Sequence, residues 1–233
     1  MSDIRTIISL FSIANGGRRF PIISGFRSPI GFVKGQYSDV QYELINRKEL
    51  HPGETCDAFL IFMAPLLIRA ELSIGSKFKI WERGIIGEGE ITEIVDIDSR
   101  IKSTITDAEI KELLPRTKFD IENFKLLYII GFPKLNVIIA DLLEWTKDMN
   151  WPVAKMLFAL LCTAEHEIVK PIIDIINSGD DEWIWSILQG LIPNLPKSFQ
   201  KELIPELANY ATKDIDREYK EDVIKYLRIV GNN

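Results

Sequence analysis

The sequence predicts two domains of different class, a small all-β barrel over residues 1–97 and an all-α stack of paired helices over 106–233, joined by a linker at 98–105. Three observations predict it. Up to about residue 96, apolar residues recur at every second position between Gly and Pro punctuation. From Thr106 onward the apolar period lengthens to that of a helix. Similar helix starts, an acid followed by an aromatic, then recur at Asp148, Asp180 and Asp216, spaced 32 to 36 residues apart.

In the first half, Lys77-Phe78-Lys79-Ile80 alternates as a strand with one buried face. Cys56, Ala58, Leu60 and Phe62 fall on one side of another strand, and its second side, with Phe59 and Ile61, is apolar enough to be covered for much of its length. His51-Pro52-Gly53-Glu54 predicts a turn, because Pro pre-sets φ at the first central position and Gly accepts positive φ at the second. Gly84, Gly87 and Gly89 predict another tight reversal. Six to eight short strands in so short a span point to closure into a barrel or sandwich, which removes exposed edges.

In the second half, Thr106-Asp107-Ala108-Glu109 predicts a capped helix start with Glu at the third helical position. A second helix is expected over 119–130, ended by Gly131 and Pro133. Three helix pairs follow at 134–147 with 150–163, 167–178 with 181–192, and 198–213 with 216–230. At their starts, Asn150 is suited to cap a helix, Pro152 to a first-turn position, and Asp180 and Asp181 to the positive end of a helix dipole. Pairs at this period indicate an α-solenoid of HEAT-like type, in which each pair buries its apolar face against its neighbours.

The composition, 46% apolar and 27% charged, supports two cores. Net charge is −6, with 11 basic and 13 acidic residues up to residue 98 and 17 and 21 beyond it. Neither half has the basic excess that phosphate-backbone binding requires, so nucleic acid is disfavoured as a partner. Cys56 and Cys162 each lie in an apolar run and are read as buried thiols of a reducing, cytoplasmic compartment. No export signal or membrane span is expected, since the longest apolar stretch is broken by Gly131, Pro133, Lys134 and Asn136.

Few residues suggest chemistry. His51 and His166 are the only histidines and are read as solvated, so no metal site and no cofactor is expected. Glu88, Glu90, Glu93, Asp96 and Asp98 are read as a solvated face, and no catalytic residues are assigned. Arg18, Arg19 and Arg27, with Phe20 and Phe26, form a basic-aromatic cluster that reads either as an RNA or protein docking point or as rim charges beside core aromatics. Trp183 and Trp185 cannot both face one core, because residues two apart point about 200° apart on a helix. The Trp185 side, with Asp180, Asp181, Glu182 and Trp183 beside it, is the candidate partner-binding patch, against the alternative that it packs on the third helix pair.

Two resemblances accompany these readings. Asn15-Gly16-Gly17-Arg18-Arg19-Phe20-Pro21, Gly25-Phe26-Arg27-Ser28-Pro29, His51-Pro52-Gly53-Glu54, Ala64-Pro65 and the run from Gly75 through Trp81-Glu82 to Gly89 together resemble the C-terminal β-barrel of elongation factor Tu. That resemblance implies a docking barrel. A GTPase is not implied, because the chain has no Gly-rich loop ending in Gly-Lys-Ser/Thr. Leu143-Glu144-Trp145, Asp148-Met149-Asn150-Trp151-Pro152-Val153-Ala154 and Asp180-Asp181-Glu182-Trp183 are similar to an uncharacterised bacterial helical domain family over residues 108–230, met in settings with toxin-immunity proteins. The expected function is a non-catalytic protein-binding module, immunity-type or adaptor, acting through an acidic helical surface on a partner of basic character. The alternative is a translation-linked factor whose barrel docks on tRNA, a GTPase or the ribosome.

Overall fold

The computed structural model describes residues 2–32, 35, 37–213 and 215–231. The chain divides into two compact units, Met1–Thr104 and Ile105–Asn233.

The first unit is a closed barrel. Strands β1 (Ile4–Leu10), β3 (Arg27–Phe32), β4 (Tyr37–Leu44), β6 (Thr55–Phe62), β7 (Lys77–Trp81) and β8 (Ile85–Ile94) pair antiparallel in the order β1-β6-β4-β3-β7-β8, and β8 returns to β1. Two-residue strands β2 (Ile22–Ile23) and β5 (Glu49–Leu50) form a separate ribbon. The alternation in β7 is realised as expected, with Phe78 and Ile80 buried and both lysines exposed. Inward-facing Ile4, Ile8, Ile30, Val40, Tyr42, Leu60, Phe62 and Phe78 fill the barrel. At 51–54 the turn forms as read, with Gly53 at φ 87° and the Glu54 amide 3.1 Å from the His51 carbonyl oxygen.

Gly87 and Gly89 differ from expectation, lying inside β8 rather than in a reversal. A Cβ at Gly89 would sit 2.4 Å from the Phe78 ring, and one at Gly87 2.4 Å from the Ser9 carbonyl oxygen. These glycines therefore give room to the core and to β1, a close-approach role that in sequence looks the same as a turn.

The expected linker at 98–105 is also corrected. Residues 97–104 form a helix, Ile97–Thr104, which belongs to the first unit together with the short helix Pro65–Ile68. Ile97 and Ile101, four apart, are its buried face. Two oppositely oriented ion pairs hold it. Asp98 receives the Arg69 guanidinium, and Arg100 reaches both the Asp3 carboxylate and, at 2.6 Å, the Phe62 carbonyl oxygen. Asp3 is wholly buried and also accepts the Phe62 amide at 2.6 Å.

We number the helices in chain order, so that Pro65–Ile68 is α1 and Ile97–Thr104 is α2. Among the described residues, the regular elements of the second unit are helices, with α3 (Asp107–Lys111), α4 (Phe124–Ile130), α5 (Ile139–Glu144), α6 (Pro152–Leu161), α7 (Val169–Ser178), α8 (Asp181–Gly190), α9 (Lys197–Tyr210) and α10 (Arg217–Gly231). The capping box at α3 forms as read, Thr106 Oγ1 accepting the Glu109 amide while Glu109 accepts the Thr106 amide. Helix α4 begins at Phe124 rather than Phe119, because Thr117 and Asp120 turn the chain by accepting the Phe119 and Arg116 amides. Pro152 opens α6 as expected. Asn150 does not cap it; the Asp148 side chain accepts the Asn150 amide instead. Helix α5 packs on α7, α7 on α9, and α8 on α10. Gly190 lets α8 approach α6, since a Cβ there would lie 2.3 Å from the Phe158 ring.

Candidate protein-binding surfaces

The sequence singles out the start of α8, and the fold explains each residue there. Gly179, at φ 79°, ends α7 in the left-handed conformation and turns the chain into Asp180. Asp180 caps α8 by accepting the Trp183 amide at 3.0 Å and is exposed, as is Glu182. Asp181 is half-buried and accepts the Tyr210 hydroxyl at 2.7 Å. The two indoles do diverge, but each is taken up inside the unit. Trp183 is 8% exposed, and its Nε1 donates to Thr146 Oγ1 at 3.2 Å. Trp185 packs on α10, its ring 6.4 Å from Tyr219 and its Nε1 donating to Asp222 Oδ2 at 2.9 Å. Of the five expected contact residues, Asp180 and Glu182 are exposed, Asp180 with one oxygen given to the helix cap, and neither tryptophan stands out as an exposed anchor.

Beside this corner lies a groove that no sequence signal marked. It encloses about 270 Å³ between α5 and α7, with Ala140, Leu143, Pro171 and Ile175 as walls, Trp183 beneath, and Glu144 and Asp174 on the rim. Glu144 pairs with Lys147, whose ammonium also lies 4.6 Å from the Trp183 ring centroid. Asp174 is bridged by Lys170 at 3.2 Å. Only the tertiary meeting of two helices makes the site.

On the barrel, the three arginines separate. The Arg18 guanidinium stacks 4.6 Å over Phe26 and is 3.8 Å from Glu82, with its side chain only 16% exposed. Its Nε and Nη1 are buried and make no hydrogen bond with the described residues. Arg27 is committed to Gln41 through Nε and Nη2 at 3.0 and 2.9 Å. Arg19 is exposed beside Phe20, which is 72% exposed; the reading of Phe20 as a core aromatic is corrected, whereas Phe26 does pack, 5.6 Å from Tyr42. A broader groove of about 600 Å³ crosses the barrel wall, flanked by Tyr37 and Trp81 at 5.5 Å. Its charges balance, Lys79 pairing with Glu88 at 2.6 Å and Lys77 standing opposite Glu90. Lys79 holds the Glu88 carboxyl below the usual carboxylate range, by its hydrogen bond first and its charge second.

Each histidine is exposed and meets one acid, His51 with Glu49 at 3.3 Å and His166 with Glu202 at 2.8 Å. Cys56 and Cys162 are free and half-buried, and burial pushes both thiols up. Among the described residues, no three His, Cys, Asp or Glu side chains are grouped to hold a metal, and no helix is long and apolar enough to cross a membrane.

The observed boundary sharpens the charge reading. Residues 1–104 carry 13 basic and 13 acidic side chains, whereas 105–233 carry 15 and 21, so the whole net charge of −6 belongs to the helical unit. Residues 113–228 match the family described as "Domain of unknown function (DUF5071)", inside the 108–230 span for which a helical family resemblance was expected. No curated protein matches the chain.

Proposed function

We propose, starting from a DUF5071 domain that fills most of the second unit, that this chain is a non-catalytic protein-binding module of immunity or adaptor type. It engages a basic partner through its helical unit in a reducing, cytoplasmic setting. The observation that carries this reading is the segregation of charge: the helical unit is net negative and the barrel unit neutral. A net-negative surface attracts a basic protein over distances of about a Debye length and raises its association rate. In this reading the stacked pairs form a short HEAT-like solenoid, whose rigid faces suit protein recognition. The barrel, elongation factor Tu-like in sequence, supplies a second docking wall.

A translation-linked role for that barrel is the second reading, favoured by exposed Arg19 beside exposed Phe20. One experiment separates the two. The full chain is purified from cells at low and high salt, and its protein and RNA companions are measured. The module reading expects a basic protein whose binding weakens by at least about tenfold as salt rises; binding indifferent to salt overturns it. The second reading instead expects RNA or ribosomes that are lost when Arg19 and Arg27 are changed to Glu. Arg18 is left intact because its guanidinium is committed to the Phe26 ring and Glu82.

A further inference from the structure

The groove between α5 and α7 has a definite chemistry. Its walls are hydrocarbon, its floor is an indole, and a carboxylate stands on each lip, Glu144 from α5 and Asp174 from α7. An apolar cleft between two carboxylates matches a side chain with an aliphatic stem and a cationic head, which buries its stem and keeps its charge at the rim. Lys147, outside the groove lining, shows that Glu144 and the Trp183 ring accept a cation, its ammonium lying 4.6 Å from the ring centroid and pairing with Glu144. Exposed Asp180 and Glu182, at the start of the helix that supplies Trp183, add negative charge, and the only cations paired to the lips are Lys147 and Lys170 among the described residues.

We infer that this groove is the specificity pocket of the helical unit and takes one arginine side chain of a basic partner protein. Arginine is favoured over lysine because a planar guanidinium held at the rim presents separate N–H pairs to the two lips while its stem fills the groove, where an ammonium acts as a single point charge. The inference rests on the proposal that the helical unit docks a basic protein, and adds to it where the partner is gripped.

The test uses the whole 233-residue chain labelled at its tryptophan indoles, of which there are five. The probe is a short synthetic peptide with one arginine between two leucines; its control carries citrulline, which keeps the shape and removes the charge. The expected result is a saturable shift of the Trp183 indole resonance with the arginine peptide, and at least about tenfold weaker binding of the citrulline peptide. Ala140→Trp, at an exposed wall position, fills the groove and abolishes the shift. Glu144→Gln with Asp174→Asn erases the preference for arginine over citrulline. All three substituted positions are exposed, so each variant keeps its helical circular dichroism. If the arginine peptide binds in a salt-dependent way but none of these variants changes that binding, the groove assignment fails and the module reading stands. If no cationic peptide binds at all, both fall.

Discussion

The two units handle charge in opposite ways. In the barrel unit, opposite charges cancel and some are taken inside: Asp3 and Arg69 are buried, and Arg100 reaches inward to Asp3. In the helical unit, the buried polar side chains among the described residues are Thr146, Ser186 and Gln200, all uncharged, and the carboxylates are left at the surface. The difference has a physical reason. A small barrel must fasten a following helix to its wall, and paired ions fix that helix in one register at a desolvation cost. Stacked helices register through apolar interdigitation, so their charges remain free to face a partner.

The contrast is tested hardest at Asp3. Removing one member of a buried pair strands the other, so Asp3→Ala should destabilise the chain by about 3–5 kcal/mol, read as a lowered urea midpoint. Burial pushes the Asp3 carboxyl above its ordinary value against the pull of the Phe62 amide and Arg100. A raised folded value means that this group's own contribution is fully present at acid pH and is lost as pH rises through that value. Asp3→Asn, which keeps an acceptor for the Phe62 amide without a buried charge, should therefore cost clearly less at neutral pH. Equal losses for the two variants would show that the lost charge, and not the acceptor kept for the Phe62 amide, is what holds α2.

The matching change in the helical unit should be milder. Thr146 Oγ1 accepts the Trp183 indole N–H and donates to the Leu143 carbonyl oxygen at 2.7 Å. Thr146→Val keeps the volume and leaves one buried donor unsatisfied, a cost of about 1–3 kcal/mol by thermal or urea unfolding. A loss as large as that of Asp3→Ala would break the contrast between charged and neutral interiors.

The parts that were legible in sequence are those set by local pattern. Alternation at Lys77 to Ile80, the Pro52-Gly53 turn, the Thr106–Glu109 capping box and Pro152 at the head of α6 each depend on neighbours a few residues away. The misread parts depend on what lies across the fold. Gly87 and Gly89 were indistinguishable from turn glycines because only Ser9 and Phe78 reveal why a Cβ is excluded. The helix at 97–104 was hidden by its brevity, two apolar residues four apart, although Asp98 and Arg100 are what fasten it. At α8 the divergence of Trp183 and Trp185 was readable, but the partners that absorb them, Thr146 and Asp222, lie 37 residues away in opposite directions. The α5–α7 groove had no local signal at all.

The smallest expected effect compares the acid response of the two surfaces. Glu88 lies below the usual carboxylate range because Lys79 donates to it, and Glu109 does so because the Thr106 amide and hydroxyl donate to it. A depressed folded value places both contributions above the ordinary carboxylate titration and drains them as pH falls through the folded values. The Glu88 pair is exposed and screened, so its share stays below about 1 kcal/mol. Carboxyl carbon NMR should find both midpoints low. Lys79→Met should raise Glu88 without moving Glu109, and Thr106→Ala should raise Glu109 only in part, because the backbone amide at 106 still donates to it, without moving Glu88. A Glu88 midpoint unchanged in Lys79→Met would mean that the balanced charge of the barrel wall is only a tally of signs, with no pairing behind it.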